Sequence, residues 1–126
     1  GRHGEPPLII GMPNEEKLIE AISMDIDYLK KSGMKSIAII CMTAVEAERA
    51  YRALCKKTRV SLITRDTSKY NLGVIIIPSY LAKGLEFDQV IVLSRQELLK
   101  NDSDEGCKLL YVAMTRARRE SRVVFV

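Results

Sequence analysis

The sequence predicts an α/β fold, a sandwich of helices on a mostly parallel sheet. Three observations predict it. Short apolar runs alternate along the chain with amphipathic segments of helical period. The inner runs are apolar nearly throughout, as in strands covered on both faces. Strands that alternate with helices build parallel sheets through crossover connections. The 126 residues make one domain, spanning 1–126. A chain of that length buries roughly two thirds of its unfolded surface.

The elements follow in order. Residues 7–11 (Pro-Leu-Ile-Ile-Gly) form a short strand behind a proline. Asn14 caps a helix whose first turn holds Glu15 and Glu16 and whose last holds Lys30 and Lys31. Leu18, Ile19, Ile22, Ile26 and Leu29 give it one apolar face, and Gly33 sits where a terminating glycine belongs. Ser36 to Met42 is a buried strand. Thr43 and Glu46 form a capping box that opens a helix to about Lys57. Val60 to Thr64 is a strand, residues 65–72 a polar loop, and Gly73 to Ile77 a strand stopped by Pro78. Val90 to Leu93 is the next strand. Asp102, Ser103 and Asp104 open a helix to about Arg119, and Val123 to Val126 closes the sheet. In such sheets ligands lie beyond the carboxyl ends of the strands, here the loops after Met42, Ile77 and Leu93. Flavodoxin-like, receiver-like and RecA-like domains all satisfy this pattern.

Composition narrows the function classes. At 47% hydrophobic and 29% charged residues, wholesale disorder is excluded. Apolar runs such as Val74 to Ile77 are far shorter than the ~20 residues that span a bilayer, so no membrane association is expected. No secretory leader is read at the start. Cys41, Cys55 and Cys107 are widely spaced and odd in number, which fits reduced thiols in a cytoplasmic protein rather than a disulfide or zinc framework. The net charge of +4 is spread evenly along the chain, except for a local cluster of Arg116, Arg118, Arg119 and Arg122. Such a cluster permits nucleic-acid or nucleotide binding, and also suits a solvated helix end. No Gly-x-x-x-x-Gly-Lys-Ser/Thr phosphate loop is present, and the single histidine, His3, has no catalytic partner in the pattern. By itself the chain reads as an incomplete enzyme.

Two segments stand out. On the last helix, at 100° per residue, Leu109, Leu110, Val112, Ala113 and Ala117 share one arc, and Arg116 falls inside it. A guanidinium on a core-facing arc needs a carboxylate or phosphate partner. It either pairs with a structural acid or reaches past the sheet edge, or it is aimed at a ligand. The second segment runs from Tyr80 to Asp88. Gly84 there permits an unusual backbone angle or a close approach, with Lys83 and Glu86 on either side.

Taken together, Ala82-Lys83-Gly84-Leu85-Glu86-Phe87-Asp88 and Leu109-Leu110-Tyr111-Val112-Ala113-Met114-Thr115-Arg116-Ala117-Arg118 resemble motifs V and VI of superfamily 1 helicases of the UvrD/Rep class. The resemblance covers residues 73–126 and extends more weakly over 36–57, in the place of motif IV. Arg2, Gly4 and Glu5 are compatible with the start of the same domain. It implies a RecA-like, P-loop NTPase-type three-layer sandwich without the P-loop itself, the second motor domain of a larger ATP-dependent DNA helicase or translocase of 3′→5′ direction. ATP and Mg²⁺ would then be held mainly by an N-terminal RecA-like domain of the same protein. Arg116 matches the arginine finger, a role worth ~10³–10⁵ in rate in comparable phosphoryl-transfer systems. Gly84 and Glu86 match the positions near phosphates and ribose, with Lys83 and Thr115 beside them. Ser79 and Tyr80 would lie on the track for single-stranded DNA. Three departures are visible. Met42 stands where motif IV usually has an arginine, and Pro78-Ser79-Tyr80-Leu81-Ala82 replaces the usual Thr-x-His-Ser opening of motif V. Only about 15 residues separate Lys57 from Gly73, too few for the large accessory insertion. That shortness resembles the HelD-like branch, whose members include ATP-driven factors that bind and remodel RNA polymerase.

Overall fold

A computed structural model describes residues 6–68, 73–95 and 104–126. Local chemistry accounts for the first half of the chain. The side chain of Asn14 accepts a hydrogen bond from the Lys17 N–H at 2.8 Å and starts α1 (Glu15–Lys31). At its end the Gly33 N–H reaches the Lys30 carbonyl and the Met34 N–H reaches the Leu29 carbonyl, the two bonds of a Schellman motif. Gly33 adopts φ +85° there. Thr43 Oγ1 accepts from the Glu46 N–H at 3.1 Å and starts α2 (Ala44–Leu54), which stops three residues short of Lys57.

Six strands form one sheet: β1 (Leu8–Gly11), β2 (Ile37–Cys41), β3 (Ser61–Leu62), β4 (Val74–Pro78), β5 (Phe87–Ser94) and β6 (Ala117–Phe125). Their order is β1-β6-β5-β2-β4-β3, and every pairing is parallel. A four-residue helix, α3 (Ser79–Ala82), follows β4, and α4 (Asp104–Arg116) precedes β6. The expected helix start at Asp102 and Ser103, the residues Arg2, Gly4 and Glu5, and His3 lie outside the described residues.

The buried strands β2 and β4 divide their side chains between two cores. Ile37, Ile39, Cys41, Val74 and Ile76 pack under α1 and α2 with Leu18, Ile22, Ile26 and Leu54. Ala38, Ile40, Ile75 and Ile77 pack on the other face with Ala82 and Ala113 of α3 and α4. Each fully buried aliphatic side chain contributes roughly 2 kcal/mol of transfer free energy. The arc drawn for the last helix holds for the side chains described: Ala113 is buried, and Leu110 and Val112 pack beside it.

The carboxyl-terminal part differs from the sequence reading. The helix expected to reach Arg119 ends at Arg116, and the strand expected to begin at Val123 begins at Ala117. Arg118 and Arg119 are therefore strand residues, not helix-end charges. β5 likewise begins at Phe87, three residues before Val90. The cause is tertiary. Ala117 pairs with Phe87 and Glu120 with Gln89, and these ladder hydrogen bonds outweigh the helical propensity of an Arg- and Glu-rich stretch. The first half of β6 borders β5 alone, because β1 pairs only with Arg122 to Phe125.

Candidate functional site at the amino edge of the sheet

The chain leaves the carboxyl edge of the sheet at Ser79 and re-enters at the amino edge at Phe87. Between them lies a tight turn. Lys83 has φ −57° and ψ 127°, Gly84 has φ +82°, and the Leu85 N–H bonds to the Ala82 carbonyl at 3.0 Å. This is a type II turn, in which the third position requires a positive φ and so favours glycine. Nothing lies within 4 Å of where a Cβ of residue 84 would be, so conformation, not crowding by the protein, calls for the glycine. Lys83, Gly84 and Glu86 are exposed.

The two segments that resemble motifs V and VI meet at this edge. Phe87 and Ala117 are partners in register, so Glu86 and Arg116 each lie one residue before a paired position of the adjacent strands β5 and β6. Arg116 is the last residue of α4 and half-buried. Its Nε is buried without a hydrogen-bond partner, and no ion pair among the described residues involves it. Of the alternatives open at the level of sequence, pairing with a structural acid is thus absent among the described residues. Thr115 next to it donates its hydroxyl to the Tyr111 carbonyl at 2.8 Å, a bond within the helix.

Ser79 and Tyr80 are not part of this group. They sit at the carboxyl edge, where the Ser79 hydroxyl donates to the Met42 carbonyl at 3.2 Å. Tyr80 is 50% exposed, with the Arg65 guanidinium carbon 5.7 Å from its ring centroid. Glu86 and Arg116 thus lie at the edge opposite the loops after Met42, Ile77 and Leu93, fixed there by the Phe87–Ala117 pairing. A cavity of about 190 Å³ does open at the carboxyl edge, against Cys41, Met42, Leu93 and Ser94. Its charged lining is already paired, Arg49 with Glu15 at 2.7 Å and Arg95 with Glu46 at 3.8 Å. Burial, with the Glu46 charge adding to it, pushes the Cys41 thiol up to about 12, so it stays protonated at neutral pH.

Sequence reasoning missed a polar group beside Arg116. Arg118 donates from Nε to Asp88 Oδ1 at 3.3 Å and from Nη2 to Ser36 Oγ at 3.2 Å. The Lys35 N–H donates to Asp88 Oδ2 at 3.1 Å, and the Asp88 N–H to Ser36 Oγ at 2.9 Å. Burial by itself raises the Asp88 carboxyl. The hydrogen bonds from Lys35, Arg118 and Ser36 and the charge of Arg118 outweigh it and hold the group below the ordinary carboxylate range. The signal for this cluster was the Arg-Ala-Arg spacing of 116–118, which reads differently once a strand begins at 117.

Comparisons with known proteins bear on the same segments. The UvrD-like helicase C-terminal domain family matches residues 73–124. The structure of the C-terminal domain of a possible DNA helicase from Lactobacillus plantarum WCFS1 superimposes with a TM-score of 0.80 at 33% identity, covering 98% of this chain and 75% of that one. The chain belongs to the UvrD-like helicase C-terminal domain family. More distant structures share the fold. The C-terminal domain of the DEAD-box protein Dbp5 matches with a TM-score of 0.59 at 19% identity, over all of this chain and 78% of that one. The SWI2/SNF2 ATPase core of Sulfolobus solfataricus, solved with double-stranded DNA, matches with a TM-score of 0.60 at 14% identity, over 98% of this chain and 28% of that one. No curated protein sequence matches. The fold is thus that of RecA-like helicase C-terminal domains. Among the described residues no helix is long and apolar enough to cross a membrane, and no group of three His, Cys, Asp or Glu side chains could hold a metal ion.

Proposed function

We propose that this domain is the second half of an ATP-driven 3′→5′ motor on single-stranded DNA, with Arg116 as its arginine finger. One observation carries the reading. Arg116 brings a partly buried guanidinium, with an unpartnered Nε, to the edge where motifs V and VI meet. An unpaired buried cation is costly unless something anionic completes it. A triphosphate bound between this edge and an N-terminal RecA-like domain of the same protein would do so. The donor set suits phosphate: Arg116, the exposed Lys83, and a turn whose Gly84 leaves open space above the backbone.

In this mechanism Arg116 stabilises charge that builds on the transferred phosphoryl group. Its fixed position makes closure of the two domains depend on that group, so loss of the phosphate releases the contact. Glu86 and Gly84 border the nucleotide, and Lys83 and Thr115 support it. The phosphate loop and the Mg²⁺ ligands belong to the other domain. At the carboxyl edge the exposed Tyr80, with Ser79, offers a stacking surface to the DNA strand. Closure at one edge would then be felt at the other through the β4–α3–β5 connection.

The test is ATP turnover of the full-length protein that carries this domain, with and without single-stranded DNA. Arg116→Ala is expected to lower kcat about a hundredfold, or about 2.7 kcal/mol of barrier, while nucleotide still binds. Normal turnover in that variant rejects the finger. Stimulation by DNA supports the translocase. Turnover indifferent to DNA, with co-purifying RNA polymerase, moves the reading to the HelD-like remodelling factor.

A further inference from the structure

We infer that Arg118, clamped by Asp88 and Ser36, is a positioning residue that fixes the Arg116 guanidinium against motif V, an inference that rests on the proposed role of Arg116. The clamp ties together the amino ends of three neighbouring strands. Ser36 precedes β2, Asp88 is the second residue of β5, and Arg118 is the second residue of β6. Its bonds form a closed ring. Ser36 Oγ accepts from both Arg118 Nη2 and the Asp88 N–H, and the Asp88 carboxylate accepts from Arg118 Nε on one oxygen and the Lys35 N–H on the other.

A register shift sets this up. Phe87 pairs with Ala117 but Gln89 pairs with Glu120, so Arg118 and Arg119 together oppose the single residue Asp88. Such a bulge re-aims side chains. Here it sends Arg118 onto Asp88 and leaves Arg119 exposed. No linker separates α4 from β6: Arg116 ends the helix and Ala117 begins the strand. Any displacement at the start of β6 therefore passes directly to Arg116. The ion pair spans the two motif segments at matched distance, two residues beyond Glu86 on one and two beyond Arg116 on the other. The two arginines thus divide the work. Arg118 is neutralised and held by the protein, and Arg116 is left open for an anion. Misplacing a reacting group by about 1 Å can cost 10²-fold in rate, so a clamp two residues away has leverage.

The experiment has two readouts. In the full-length protein, Asp88→Asn and Arg118→Ala are each expected to lower kcat about tenfold, with KM for ATP within twofold of wild type. The double variant should be no slower than the slower single one, since both break one pair. In the 126-residue chain, the Arg116 Nε–H resonance should move in Asp88→Asn. If Arg118→Ala does not fold, the near-isosteric Asp88→Asn and the hydroxyl deletion Ser36→Ala carry the same test. Kcat within twofold of wild type, or an unmoved Arg116 resonance, overturns the clamp while a hundredfold loss in Arg116→Ala leaves the finger standing. Normal turnover in Arg116→Ala rejects the finger and the clamp with it.

Discussion

The two edges of the sheet carry similar numbers of charges and use them in opposite ways. At the carboxyl edge Arg49 meets Glu15 and Arg95 meets Glu46, all on largely exposed side chains. At the amino edge Arg118 is bound by Asp88 within a ring of hydrogen bonds, and Arg116 keeps a buried Nε with no partner among the described residues. The difference is burial rather than charge count. Water can replace any partner at the first edge, so those pairs contribute little. At the second edge the Arg118–Asp88 pair is still partly open to water, but the Arg116 Nε is shut off from it, so that unmet N–H signals either a cost or a ligand.

Substitutions can break this contrast. The largest effect is expected for Arg116→Met. Turnover of the full-length protein should fall about as far as in Arg116→Ala, while thermal unfolding of the domain shows Tm unchanged or raised, because an apolar side chain replaces a half-buried cation whose buried Nε has no partner. A Tm that drops by several degrees would show that Arg116 has a structural partner.

Asp88 comes next, and its effect depends on pH. Its folded carboxyl is held below the ordinary range near 4. The unfolded chain therefore takes up this proton first, and the stabilisation is complete above the unfolded value and lost as pH falls through the folded one. Between pH 6 and pH 3 the Tm of Asp88→Asn should fall less steeply than that of wild type. Parallel curves would remove Asp88 from the acid sensitivity of the domain. Gly84→Ala is expected to cost about 1 kcal/mol, from the positive φ alone, measured by urea denaturation. At the other edge Arg49→Ala should change stability by under about 0.5 kcal/mol. A larger loss there would erase the distinction between the edges.

Much of the fold was legible in the chain because the signals are local. Asn14 and Thr43 cap the helices they were expected to cap. The apolar runs at 37–41 and 74–77 are buried strands. The arc that places Arg116 among core residues anticipated its half-buried state. The four-residue helix at Ser79 was not legible, being too short to show a period. Nor was the start of β6, where Arg118, Arg119 and Glu120 carry no strand propensity and gain their conformation from β5.

The sequence alone therefore determined the α/β class, the caps, the apolar faces of α1 and α2, and the two segments that resemble helicase motifs. All of these depend on residues within a few positions of one another. Tertiary structure decided the rest: the strand order, the amino edge as the meeting place of Glu86 and Arg116, and the capture of Arg118 by Asp88. Those features arise from ladder pairing and hydrogen bonds across 30 or more positions, from Asp88 to Arg118 and from Ser36 to both. No local periodicity encodes such partners, because they are selected only when the sheet closes its register.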